Sequence, residues 1–108
     1  LDAQKAAIQT IKSGIKASKI DKIARDYIID QGFPNIIHSV GHGVGIEVHE
    51  PPHISPKSKD IIQSGMVFSI EPGIYIERYG GVRIEDLVVV TKKGAELISH
   101  SNREIIEL

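Results

Sequence analysis

The sequence predicts an α+β domain in which two helices come first and an antiparallel sheet follows. Up to residue 32 the apolar residues recur at helical spacing. Beyond Phe33 they alternate, or run in short blocks bounded by glycine and proline. No internal repeat, low-complexity tract or linker interrupts the 108 residues, so one domain is expected.

The first helix is expected over Asp2–Ser13, where Ile8, Ile11 and Ile15 keep helical spacing, alanines support the helix and Gly14 ends it. The second is the clearest element. Ser18 and Asp21 fit an S-x-x-D cap, and Ile20, Ile23, Ala24, Tyr27 and Ile28 form one stripe that reads as core packing. Gly32 and Pro34 end it. A short strand follows at residues 46–49, stopped by Pro51 and Pro52, and residues 53–65 read as a loop. Met66–Ile76 is a candidate strand pair broken at Pro72-Gly73, with Met66, Phe68 and Ile70 on one face and Val67, Ser69 and Glu71 on the other. Tyr79-Gly80-Gly81 is turn chemistry. Val82–Thr91 reads as the longest strand, and Ala95–Ile98 as the last.

Composition excludes several classes of function. A net charge of −1 gives no electrostatic basis for nucleic-acid or anionic-membrane partners. With no cysteine, disulfides, zinc ribbons and thiol nucleophiles drop out, and the chain suits a reducing cytoplasm. No apolar run reaches the roughly 18 residues of a membrane span. The chain lacks an initiating methionine and opens inside a helical pattern, as a processed piece or expressed fragment would.

Chemistry concentrates in HSVGHGVGIEVHEPP, residues 38–52, where His38, His42 and His49 fall among glycines. Imidazole is the commonest metal ligand. His42, enclosed by glycines, is the best ligand candidate. His38 is near enough in sequence to share its pocket, and His49 follows Glu47 on one strand face. His53 reads as a loop histidine and His100 as solvated. Downstream, Glu71 closes the run MVFSI, and Glu85 sits in VRIEDLVVVT on the same face as Arg83, Leu87 and Val89. A carboxylate in so apolar a setting is costly to bury unless it is paired or binds a metal. One histidine with two glutamates suits a divalent metal; a satisfied core histidine with two surface ion pairs is the competing reading. No G-x-S-x-G, H-E-x-x-H or P-loop pattern is present.

The ordered succession HSVGHGVGIEVHEPP, GMVFSIEPGIY and GVRIEDLVVVT resembles the carboxyl-terminal half of the catalytic domain of the pita-bread metallopeptidases, which include methionine aminopeptidase, aminopeptidase P and prolidase. The resemblance spans essentially the whole chain, and the RIED form points to the proline-specific branch. It implies half of a pita-bread fold, a centre of two divalent ions (manganese, or cobalt or zinc), and hydrolysis of the bond before proline in Xaa-Pro dipeptides or short peptides. Position by position, His42, Glu71 and Glu85 resemble metal ligands, with Glu71 also a general base and Glu85 bridging both ions. His49 resembles the histidine facing the scissile carbonyl, His38 a pocket histidine near the leaving proline, and Arg83 a partner of the ligands or of the substrate carboxylate.

The family's centre also takes two aspartates from the preceding half of the domain, and residues 1–37 hold no match to that motif. The chain is therefore expected to be inactive alone, and to self-associate or form a homodimer through the apolar face that half a domain exposes. The competing functional readings are a non-catalytic pita-bread module that binds peptide or protein, and a methionine-aminopeptidase-like or creatinase-like relative. A binding module has no chemical reason to keep His42, Glu71 and Glu85 together.

Overall fold

Helices α1 (Asp2–Thr10) and α2 (Ala17–Asp30) lie on one face of a five-stranded antiparallel sheet in a computed structural model covering residues 1–108. The strands are β1 (Gly41–Gly43), β2 (Glu50–Ile54), β3 (Val67–Ile70), β4 (Gly73–Ile76), β5 (Gly80–Arg83), β6 (Asp86–Thr91) and β7 (Gly94–Leu97). The main sheet runs β2-β1-β3-β6-β7, and β4-β5 forms a separate hairpin. The α+β class and the order of helices before sheet agree with the sequence.

The core is the layer between helices and sheet. Ala7, Ile11, Ala17, Ile20, Ala24 and Ile28 meet Ile54, Phe68, Ile70, Val88 and Val90, all buried. Full burial of an Ile or Phe side chain contributes about 1.5–3 kcal/mol, so this single layer carries most of the stability.

Several boundaries differ from expectation. The first helix stops at Thr10, because residues 11–16 leave it to pair their backbone with residues 60–62. Gly14 N–H reaches the Ile62 carbonyl at 2.7 Å, Ile62 N–H reaches that of Ile15 at 2.9 Å, and Lys16 bridges Ile61. The second helix begins with Lys16 as its cap and no side-chain capping bond, so the S-x-x-D reading fails. Asp21 is instead fully buried and engaged elsewhere.

Residues 46–49 are irregular, and the expected strand lies one step later with both prolines inside it. Prolines are tolerated there because β2 is an edge strand, where a missing donor costs no ladder bond. His53, read as a loop residue, therefore lies in β2 opposite His42. The Met66–Ile76 segment does not form a pair with itself: β3 joins the main sheet and β4 turns to β5. The expected long strand from Val82 to Thr91 is likewise broken at Ile84–Glu85, with its halves in different sheets. The hairpin turn falls at residues 77–79, so Gly80 and Gly81 belong to β5.

Asp21 explains how the segment bearing the histidines is held. Its carboxylate takes two bonds from Arg25, at 2.8 and 2.9 Å, and one from Val40 N–H at 3.3 Å. Arg25 also donates to the Ile36 and His38 carbonyls at 2.6 and 3.0 Å. One buried ion pair on α2 thus fixes residues 36–40, which lead into β1. Arg25→Ala strands a buried carboxylate, and is expected to lower the unfolding free energy by about 3–5 kcal/mol in urea denaturation. A loss below about 1 kcal/mol would mean that the pair behaves as an exposed one.

Candidate metal centre

The site is built by strand register. Ile70 pairs with Asp86 as the last rung between β3 and β6, and one step further out Glu71 faces Glu85. Side chains alternate faces along a strand, so Phe68, Ile70, Asp86 and Val88 point to the helices while Ser69, Glu71, Glu85 and Leu87 point to the other side. His42 joins that outer row from β1: its backbone N–H donates to Ser69 Oγ at 3.1 Å. This close packing of β1 requires a residue without a side chain at position 41. A Cβ there would lie 1.8 Å from the Ser69 carbonyl oxygen. At Gly41, then, the missing side chain makes room for a neighbouring strand.

The ligand atoms of His42, Glu71 and Glu85 all lie within 4.8 Å of one another. His42 Nδ1–H donates to the Gly43 carbonyl at 2.9 Å, which leaves Nε2, 3.3 Å from Glu71 Oε1, as the ring nitrogen that faces the carboxylates. Burial first, and then the Glu85 charge, push the Glu71 pKa above the usual carboxylate range; His42, Arg83 and the Ser69 hydroxyl pull against them. A cation between the two carboxylates would relieve the burial and repulsion together. The oxygen and imidazole donors suit a hard-to-borderline divalent ion, so the residues present fit one.

Arg83 spans both carboxylates, with Nη2 3.2 Å from Glu85 and Nε 3.6 Å from Glu71. The His49 ring stands edge-on to His42, with centroids 4.6 Å apart. His38 has both ring nitrogens engaged: Nδ1–H donates to the Ser39 carbonyl at 2.7 Å, and Nε2 accepts from the Tyr75 hydroxyl at 2.8 Å. Together with His53, these side chains line one open cleft of about 570 Å³ that contains no hydrophobic residue. All six candidates from the sequence, His38, His42, His49, Glu71, Arg83 and Glu85, therefore come together in it.

Three contributors escaped the sequence reading. His53 was hidden because the prolines were read as a strand end. Tyr75 carries no signal of its own, since only its register places it: it pairs with Gly81, where a Cβ would lie 2.5 Å from the Tyr75 ring. Ser69, already assigned to the face of Glu71, supports both His42 and Glu71, donating to Glu71 Oε1 at 3.3 Å. His100 is exposed and lies outside the cleft.

Comparison with known proteins identifies the family and the fold. Residues 1–92 match the model of metallopeptidase family M24. An Xaa-Pro dipeptidase of Pyrococcus horikoshii is 48% identical over 107 residues, which cover 98% of this chain and 30% of that protein. The crystal structure of the prolidase from Pyrococcus horikoshii OT3 superposes with a TM-score of 0.92 at 47% identity, over 97% of this chain and 30% of that one. The X-Pro aminopeptidase of Thermotoga maritima gives 0.90 at 38% identity, over 95% and 30%. The chain thus spans about 30% of the length of the curated relatives it matches. With its helices, its sheet and nearly all its residues matched to pita-bread peptidases, the chain belongs to metallopeptidase family M24, whose members work with divalent metal ions.

Proposed function

We propose that this chain is the carboxyl-terminal half of the catalytic domain of a dinuclear-metal peptidase that hydrolyses the bond before proline in Xaa-Pro dipeptides or short peptides. The observation that carries the reading is the convergence of His42 Nε2, Glu71 and Glu85 within 4.8 Å. The names of the relatives, Xaa-Pro dipeptidase and prolidase, support the substrate class. Nothing in a peptide-binding module calls for two like charges held side by side against their repulsion. The trio therefore favours catalysis over binding alone.

His42, Glu71 and Glu85 would hold the metal, with manganese favoured among the ions that suit carboxylate and imidazole donors. Divalent cations supply Lewis acidity, activating water and stabilising the charge that develops on the scissile carbonyl. Glu71, whose carboxylate lines the cleft beside His42, is the base that takes a proton from the attacking water. His49, exposed and beside His42, turns its imidazole to the carbonyl oxygen. His38 has no free ring nitrogen, so its part is to shape the wall around the leaving proline. Arg83, with 52% of its side chain exposed, is placed to exchange its carboxylate partners for the substrate's carboxyl terminus.

None of the chain's aspartates joins the trio. Asp21 is held by Arg25, and Asp86 points to the helices. The missing pair of aspartates belongs, on this reading, to the other half of the domain. The absence of cysteine supports a cytoplasmic setting, while no helix is long and apolar enough to cross a membrane. Self-association is supported by exposed Ile37, Val48, Tyr79 and Val82.

Two outcomes follow. The 108-residue chain alone is expected to show no hydrolysis of an Xaa-Pro dipeptide with added Mn²⁺, and a protein supplying both halves to show turnover that Glu71→Gln abolishes; turnover by the chain alone would overturn the half-site assignment. The second outcome concerns pH. Because Glu71 binds its proton more tightly folded than unfolded, its contribution to stability is complete below the usual carboxylate range and is lost as pH rises through the raised pKa. Metal-free unfolding midpoints measured from about pH 4 to 8 should carry this falling component, and Glu71→Gln should remove it.

A further inference from the structure

Asp86 is 2% exposed and faces the helices from the first position of β6, where a charge is most costly. Its partners are specific. Ser99 Oγ donates to Oδ1 at 2.5 Å, and Gln4 Nε2 donates to Oδ2 at 3.1 Å. Gln4 is itself fully buried on α1, and the same Nε2 also donates to the Ile70 carbonyl at 3.1 Å. Ser99 Oγ in turn accepts from Leu87 N–H at 3.0 Å, and Arg103 adds positive charge 3.8 Å from Asp86. No buried polar side-chain atom is left without a partner.

The consequence lies in the sequence neighbours. Ile70 immediately precedes Glu71, and Asp86 immediately follows Glu85. A single amide, Gln4 Nε2, therefore bonds at once to the residue behind each of the two carboxylates. It does so from the face opposite the site. Glu71 and Glu85 repel each other in the gap between two ladders of one register: the β3–β6 rungs end at Ile70–Asp86, the β4–β5 rungs begin at Gly73–Arg83, and between them Ile84 N–H reaches the Pro72 carbonyl at 3.3 Å.

We propose that Gln4, Asp86 and Ser99 are positioning residues: a buried polar strut, running from α1 through the sheet, that sets the separation of Glu71 and Glu85 and so the affinity for the metal. The inference rests on reading those glutamates as metal ligands. The strut never touches the metal. It acts through the Ile70 carbonyl and the Asp86 side chain, and apolar residues at positions 4 and 86 would leave the gap between the two ladders free to widen under the carboxylate repulsion.

The test is Mn²⁺ titration of a protein supplying both halves of the domain, with free ion followed by electron paramagnetic resonance, alongside amide hydrogen exchange at Glu71, whose N–H is held by the Val40 carbonyl at 2.6 Å. Gln4→Met keeps the volume but removes both donations, and Asp86→Asn removes the charge; each is expected to weaken Mn²⁺ binding about tenfold, as loss of a supporting hydrogen bond around a metal ligand does. Gln4→Met should also speed exchange at Glu71. Ile20→Val, a core truncation on α2, controls for general destabilisation and should leave the affinity unchanged. If Glu71→Gln and Glu85→Gln weaken binding while Gln4→Met and Asp86→Asn do not, the strut is overturned and the ligand assignment survives. If the glutamate variants bind as tightly as the parent, the ligand assignment falls and the strut with it. Equal losses in Ile20→Val would reduce the strut to ordinary stability and overturn it as well.

Discussion

The register between β3 and β6 is the constraint on which the rest of the molecule depends. With Phe68 opposite Val88 and Ile70 opposite Asp86, the inward side chains of both strands enter one core. A slip of one residue in either strand would turn its apolar set to solvent, so the hydrophobic layer fixes the register. The same register delivers Glu71 and Glu85 side by side on the far face. Like charges directly opposite each other across a ladder are destabilising. Burial first, and the Glu85 charge second, raise the Glu71 pKa, and the buried layer on the other face of the same strands offsets the cost of both. Core and site are two faces of one set of hydrogen bonds.

A narrow fit brings the histidines to those carboxylates. β1 is only three residues long and lies between β2 and β3, close enough that Gly41 leaves no room for a side chain. That closeness sets His42 beside Ser69 and Glu71, and His53 beside His42. The Asp21–Arg25 pair holds the preceding segment at its carbonyls, so the approach to β1 is fixed from the helix side. A strand therefore positions His42, while His49, to which the proposed function gives the substrate carbonyl, sits in the irregular 44–49 segment.

Much of this was legible in the sequence, and the failures share a cause. The stripe of α2 and the alternation Val67–Ser69–Glu71 were readable because period alone reports which face a residue takes. The three histidines and two glutamates were readable because each is chemically conspicuous where it stands. Pairing partners were not. Pro51 and Pro52 are strand breakers in a central strand but not at an edge, and edge status is a tertiary fact. The break between Val82 and Asp86 is invisible in a run of β-formers, because it lies opposite Glu71-Pro72 in the partner strand, where proline offers the ladder no N–H. Asp86 was overlooked for the same reason: its partners are 13 and 82 residues away. Even Asp21, conspicuous in a capping pattern, is explained by Val40, 19 residues on.

The openness of the cleft bears on the half-site proposal from a second direction. Its lining contains no hydrophobic residue, and peptide hydrolysis gains from excluding bulk water around the reacting carbonyl. On the opposite, helix-facing side of the same strands lies an apolar hollow of about 240 Å³, where Pro72, Val82 and Ile84 meet Ala3, Tyr27 and Ile28 of the helices. Each of these is adjacent in sequence to Glu71, Arg83 or Glu85. The alternation that turns Glu71, Arg83 and Glu85 to the cleft turns Pro72, Val82 and Ile84 to the hollow, so one pair of strands carries a polar face and an apolar face. The polar face is the one that a second half of the domain has to close, because it alone carries the three candidate ligands and leaves them open to solvent.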